Sequence, residues 1–418
     1  MSSVISTYLL RIKQFSHNAR FYLFNAILSG AAYGVYRLLF NFYALSLNLD
    51  ASIIGHIITI NSTTALLLAL PMGYLADSLG RKASLILGGL VTSSAIAVMV
   101  LWPSAGMFYA MAVLMGASQS LSAVTVAPFL LENSGAEERT YLFSLSQGLT
   151  MTASFVGNSI GGYLPTWIGQ ARGVDATSST AYAGALGIIA VISGLSLLPL
   201  LGLRTPHLSK SERSLFAPIS YAVKNIGSIG KMVLPMLITS IGAGLFMPFM
   251  NVFFRTVYKQ PDPVIGNVLA WGALAMGVGL IIAPPIAERI GKIQLVVITQ
   301  GLSIPFLIIL GYSPWFWLSA LGHYVRLSLM NMGGPVYNAY VMEHVEPKSR
   351  AMVASLTSMA WNFGWAFSPS ISGWLQVKYG FGPVYLAVIV IYTLSVFLYW
   401  KFFWKAKPAE GTAPVPAD

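Results

Sequence analysis

The chain has 418 residues, 56% hydrophobic and 9% charged, with a formal net charge of +11. A water-soluble domain carries about 25% charged residues, so a water-facing surface is excluded and a lipid bilayer is the expected solvent. The absence of cysteine excludes thiol, iron–sulfur and cysteine-zinc chemistry, and the excess of bases reads as loops at one membrane face, not as a nucleic-acid surface.

A spanning helix takes roughly 20 residues. Apolar runs fall at 21–46, 52–75, 83–102, 106–131, 141–168, 180–203, 232–257, 263–287, 293–313, 315–342, 351–376 and 381–404. These are numbered here as spans one to twelve. Residues 1–20 carry bases but no compact apolar core with a small-residue cleavage site, and are expected as a retained cytoplasmic segment. Residues 204–231 are expected as a central cytoplasmic loop between halves at 21–203 and 232–404, and the Pro- and Ala-rich tail 405–418 as disordered. With both termini inside, eighteen Lys and Arg fall on the cytoplasmic side, against Arg172, Arg255, Lys259 and Lys378 outside. The remaining two bases, Arg37 and Arg326, lie within apolar runs.

A charged turn joins spans two and three: Gly73-Tyr74-Leu75-Ala76-Asp77-Ser78-Leu79-Gly80-Arg81-Lys82. Its echo is Glu288-Arg289-Ile290-Gly291-Lys292, with Asp77 and Glu288, and Gly80 and Gly291, each 211 residues apart. The same offset joins Gly55 to Gly266, Glu132 to Glu343, Arg139 to Arg350 and Gly162 to Gly373, and sets Asn158 opposite Pro369. One ungapped offset across three pairs of spans indicates a duplicated six-helix unit. Parallel halves with a site near the midplane between them are a transporter architecture.

On these residues the chain resembles the major facilitator superfamily over nearly its whole length. The family's signature loop is matched by Gly73, Leu75, Asp77, Gly80, Arg81 and Lys82, with Ser78 where a base is usual. The resemblance implies an all-α polytopic membrane protein, with twelve transmembrane helices in two pseudo-symmetric halves. It also implies a cytoplasmic gate built from Gly73, Asp77, Gly80, Arg81, Lys82, Glu132, Arg139, Glu288, Gly291, Glu343 and Arg350. The bland alternative is a loop whose bases only fix topology. Glu132 with Arg139, and Glu343 with Arg350, stand seven residues apart and are expected as partners of this latch. Two features of the family's proton antiporters are missing. The span-five motif Gly-Pro-x-x-Gly-Gly has Asn158 for proline, and the span-four arginine position holds Ala112.

Arg37 and Arg326 each lie about 15 Å from the outer end of their spans, at about 1.5 Å per residue, near the middle of an approximately 30 Å core. None of the thirteen Asp and Glu residues is at that depth. Two guanidinium groups with no carboxylate at their level suit an anionic substrate or an exchanged anion. The alternative is that each caps carbonyls or stacks on an aromatic ring. Tyr33, Arg37 and Asn41 share a face of span one by their i, i+4, i+8 spacing. Asn61, Gln119, Gln147, Thr150, Asn331 and Asn338 add polar groups, and Trp361, Asn362 and Trp365 a wall. Each of these has a plain helix-packing reading. His323, three residues before Arg326, is the candidate for proton coupling, its alternative being a structural hydrogen bond.

The expected function is a secondary active transporter that moves a small carboxylate- or phosphate-bearing anion by rocking its halves. A proton-driven drug or sugar antiporter, or a lysolipid flippase, is the alternative. No enzyme, cofactor or metal is expected. The expected partners are the lipid bilayer, the substrate and a coupling proton or exchanged anion, in a monomer of the bacterial inner membrane.

Overall fold

A backbone in hydrocarbon must satisfy its own hydrogen bonds, and the helix does so within one segment. The computed structural model describes residues 14–135, 138–204, 226–345 and 350–404, and all its regular structure is helical. Most of the N-terminal segment, most of the central loop and the whole tail lie outside the described residues. The helices are α1 (His17–Ser46), α2 (Ala51–Leu67), α3 (Ala69–Leu79), α4 (Arg81–Leu101), α5 (Ala105–Glu132), α6 (Arg139–Gly161), α7 (Leu164–Arg172), α8 (Ser179–Leu195) and α9 (Leu198–Leu201) in the first half. The second half has α10 (Ile226–Phe246), a 3-10 turn at Met247–Phe249, α11 (Met250–Tyr258), α12 (Asp262–Ile290), α13 (Lys292–Tyr312), α14 (Phe316–Glu343), α15 (Arg350–Trp365), α16 (Ser368–Tyr379) and α17 (Phe381–Phe403).

Every expected run is helical, but five of the twelve are broken into two pieces. Span two bends by 60° between α2 and α3. Spans five, six, seven and eleven break near Gly162, Ser196, Met247 and Ala366. Among the described residues, eight helices are long and apolar enough to cross a membrane, and nine with the bent pair joined. The long α14 does not pass, because His323, Arg326, Asn331 and Asn338 interrupt its apolar sequence. Asp50 and Ser104 cap α2 and α5 by accepting from the amides of Ile53 and Met107, which satisfies otherwise orphaned donors.

The duplication is written in the packing. In the first half α1 packs on α6 and α8, and α4 on α5 and α8. In the second half α10 packs on α15 and α17, and α13 on α14 and α17, in the same pattern. The compact units nevertheless differ from the expected halves. One comprises Met1–Arg213, Pro248–Ala273 and Pro369–Lys378, and the other Ser214–Met247, Leu274–Ser368 and Tyr379–Asp418.

Glycine explains why pieces of the second half belong to the first unit. A Cβ added at Gly55 would lie 2.3 Å from the Pro369 carbonyl oxygen, and one at Gly266 would lie 2.5 Å from that of Asn158. A Cβ at Gly373 would meet the Ala51 oxygen at 2.1 Å, and one at Gly162 the Asp262 oxygen at 2.6 Å. These contacts are pairwise equivalent, because each residue and its counterpart stand 211 apart. Only residues without a side chain allow helix backbones this close. A second reciprocal contact fastens α1 to α11. Asn41 donates to the Pro248 carbonyl at 2.7 Å and to Asn251 Oδ1 at 2.9 Å, while Asn251 donates to the Leu38 carbonyl at 2.7 Å. Its offset is 210, one residue short of the repeat.

Gly373→Leu or Gly55→Leu is expected to force these helices apart at a cost of about 1–3 kcal/mol, read as a lower melting temperature in detergent. A Cβ at Gly187 would meet open space, so Gly187→Ala in α8 should leave the melting temperature unchanged or raise it. Equal melting of all three variants would contradict the close packing.

Candidate substrate site and gates

The second unit holds a cavity of about 140 Å³, and every lining residue belongs to that unit. Arg326, Asn331 and Asn338 reach it from α14, and Trp361 and Trp365 from α15. The sequence had picked out these five. Gln300 on α13, Met236, Thr239 and Met247 near α10, Met330 and Tyr337 on α14, and Tyr392 and Tyr399 on α17 complete the wall.

Arg326 is 2% exposed. Its Nη2 donates to the Tyr392 hydroxyl at 2.8 Å, and its Nη1 approaches Met247 Sδ at 3.6 Å. The guanidinium carbon lies 4.5 Å from the centre of the Phe246 ring and 5.3 Å from that of Tyr392. Stacking on aromatic faces is worth about 2 kcal/mol when desolvated and holds the cation without neutralising it. No carboxylate pairs with it among the described ion pairs. The stacking alternative raised by the sequence is thus realised, though on Phe246 and Tyr392. Three polar atoms around the cavity are buried without a hydrogen-bond partner: Arg326 Nε, Trp365 Nε1 and Gln300 Oε1.

The base of the cavity is rigid. The Tyr337 hydroxyl donates to the Met232 carbonyl at 2.6 Å, and its ring meets Tyr399 edge-on at 4.8 Å. Thr239 donates to the Pro235 carbonyl at 3.0 Å, and Ser395, its hydroxyl 2.7 Å from that of Thr239, donates to Thr239 or to the same carbonyl. Asn331 uses its Nδ2 on the Leu327 carbonyl one turn back. Asn362 is exposed, and His323 is buried one turn before Arg326.

The first-half candidates sit in the other unit. Tyr33 and Arg37 are exposed on α1, and Gln119 and Gln147 are exposed on α5 and α6. Asn41 does not join Tyr33 and Arg37, because it is 3% exposed and its donors are taken by α11. A 40° drift per four residues turns Asn41 from the Tyr33 face toward its neighbour. Asn61 leans on the Ala112 carbonyl at 3.4 Å, where a Cβ at Gly116 would meet the Asn61 carbonyl oxygen, so it serves helix packing. Thr150 returns its hydroxyl to the Ser146 carbonyl.

The signature loop is organised by Arg81. Its Nη1 meets Asp77 Oδ1 at 2.8 Å and its Nε meets Glu132 Oε1 at 3.1 Å. In the echo, Lys292 pairs with Glu343. Arg81 and Lys292, and Glu132 and Glu343, both stand 211 apart, so the pair is duplicated. Glu132 and Glu343 thus meet the loop and its echo through bases 51 residues away. The side chains of Arg139 and Arg350 lie outside the described residues. Glu288 is exposed and has no described ion pair. Gly80 and Gly291 have φ of 84° and 98°, a region that side chains avoid, which accounts for the paired glycines. Lys82 donates to the Leu201 and Leu203 carbonyls at 2.6 and 2.8 Å, closing the end of α9. Gly73 is helical, and a Cβ there would meet nothing within 4 Å.

At the opposite end of the first unit the structure shows a cluster that charge counting had placed only as outer loop. Arg255 on α11 pairs with Asp262 at the start of α12. Tyr182 of α8 donates to Asp262 Oδ2 at 2.7 Å and accepts from Arg255. The guanidinium carbon of Arg255 lies 3.5 Å from the centre of the Phe42 ring. Gln300 and Tyr392 were likewise missed, although Gln300 breaks span nine in the way that singled out Gln119 and Gln147.

The family model described as Major Facilitator Superfamily matches residues 22–234 and 232–416. No curated protein matches the chain in sequence. Solved structures match in fold. The nucleoside transporter NupG superposes with a TM-score of 0.74 at 15% identity, covering 94% of this chain and all of that one. The xylose transporter XylE from E. coli gives 0.71 at 14% identity, covering 96% and 100%. A bacterial homologue of the iron transporter ferroportin gives 0.73 at 16%, covering 93% and 98%. With residues 22–416 matched and its repeat visible in both sequence and packing, the chain belongs to the major facilitator superfamily of membrane transporters.

Proposed function

We propose that this transporter is a secondary carrier for a small organic anion, moved by alternating access, with Arg326 as the cation that receives it. The observation that carries the reading is Arg326 itself. A guanidinium 2% exposed, about 15 Å along a membrane helix and with no carboxylate partner among the described residues, is costly to hold. Aromatic faces and one tyrosine hydroxyl offset part of that cost, and an anion supplies the rest. A carrier needs an incompletely satisfied site, since a fully neutralised one would gain nothing from its substrate. Arg37, exposed on α1 of the first unit and not among the residues lining this cavity, is a separate second cation of the reading.

The signature loop then acts as a gate at the cytoplasmic face of a bacterial inner membrane. Gly73 supports this role. It needs no unusual φ, and nothing crowds it in this conformation, so its missing side chain suits a close approach made in another one. The ion pairs are partly exposed, worth about 0–1 kcal/mol each, which suits contacts broken at every cycle.

Arg326→Gln should weaken anion binding by about 10- to 150-fold, the worth of about 1.5–3 kcal/mol for a charged hydrogen bond. Uptake into proteoliposomes and thermal shift with a panel of carboxylates and phosphates would measure it, and undiminished uptake would remove Arg326 from the site. Arg37→Ala is expected to abolish uptake as well, and full uptake in that variant would take Arg37 out. For coupling, His323→Gln should flatten the dependence of uptake on pH, and an unaltered profile would exclude His323.

A further inference from the structure

We infer that the substrate is a monoanion with a flat, single-ring-sized apolar body: an aromatic monocarboxylate in preference to a dicarboxylate, a phosphate or a sugar. The inference rests on the reading of Arg326 as the anion-receiving cation and adds the charge, size and body of what it receives.

The charge follows from the lining. Arg326 is the one Lys, Arg or His among the cavity residues. A second negative charge would find no further cation in that wall to neutralise it. The guanidinium already gives Nη2 to Tyr392, and its Nη1 has only the weak acceptor Met247 Sδ beside it. One cation with one weakly occupied N–H group matches a single carboxylate. Phosphate oxygens are more numerous, and the remaining polar groups of the wall are amides and hydroxyls.

The body follows from the shape and softness of the wall. Trp361, Trp365, Met236, Met247 and Met330 present aromatic faces and polarizable thioethers, which suit a π-system. A sugar needs a ring of paired donors and acceptors, whereas Tyr337, Thr239 and Asn331 spend a donor on the backbone. Drug-sized ligands fill cavities of about 300–1,000 Å³, and this one, at about 140 Å³, has room for one ring. Gly334 keeps that room open. It sits inside α14, where glycine costs about 1 kcal/mol against alanine, and a Cβ there would meet open space, so no packing neighbour requires it.

The test is competition binding to the full-length purified transporter. Benzoate and 4-hydroxybenzoate are compared with acetate, succinate, inorganic phosphate and benzyl alcohol, and the wild type with Arg326→Gln and Trp361→Ala. The expected order places both aromatic monoanions at least about tenfold tighter than acetate or succinate, with no binding of benzyl alcohol. Trp361→Ala should lower benzoate affinity about tenfold and leave acetate unchanged. Trp361 is 36% exposed, so this variant keeps the test valid if Arg326→Gln fails to fold. Preference for succinate or phosphate, lost in Arg326→Gln, would overturn this inference and leave the anion reading standing. Equal binding of all anions in wild type and Arg326→Gln, or no binding of any, would overturn both.

Discussion

The structure of the second unit turns on one interaction, a guanidinium held in the membrane interior by aromatic faces. Arg326 lies over Phe246 and beside Tyr392, and the hydroxyl of Tyr392 accepts its one strong hydrogen bond. The arrangement keeps a cation where water is scarce while leaving its charge uncancelled. The neighbouring groups follow from that need. Tyr337 and Tyr399 brace α14 against α10 and α17, so the guanidinium is not free to leave for the interface. Methionines around the opening supply a deformable wall. An ion pair at the same place would have been more comfortable for the fold and less useful to a carrier.

The second constraint is the symmetry of close contacts in the first unit. Four glycines related by one offset bring backbones together where any side chain would collide with a carbonyl oxygen. Asn41 and Asn251 exchange hydrogen bonds beside them, and Arg255, Asp262 and Tyr182 add a buried charged clasp. The glycine contacts bring backbones together with no side chain between them. The ion pairs Arg81–Glu132, in the first unit, and Lys292–Glu343, in the second, carry the same 211-residue offset. One duplicated sequence therefore supplies both the close packing and the paired charges.

Much of this was legible in the sequence, and the physics says which part. Gly55, Gly162, Gly266 and Gly373 stood out because a backbone crossing admits no substitute, so both copies of the repeat keep them. Gly80 and Gly291 stood out because a positive φ does the same. Arg326, Trp361 and Trp365 were found because a polar or aromatic group deep in an apolar run has few reasons to be there. Asn41 was misassigned because its partner, Asn251, lies at offset 210 and is invisible to an ungapped comparison. Glu132 and Glu343 were picked out with Arg139 and Arg350 seven residues on; the bases they meet among the described residues, Arg81 and Lys292, lie 51 residues away, a separation that spacing along one helix does not reveal. Tyr392 was passed over because a tyrosine in a membrane span is unremarkable until its hydroxyl is seen to face a guanidinium.

The central claim is that an anion completes Arg326, and locating one directly tests it. A structure of the transporter with 4-bromobenzoate, with the bromine found by its anomalous signal, would place the ring. The account predicts a bromine peak inside the cavity between α13, α14, α15 and α17, with the carboxylate within hydrogen-bond distance of the Arg326 guanidinium. A carboxylate bound at other cations, with this cavity empty at saturating ligand, would contradict it.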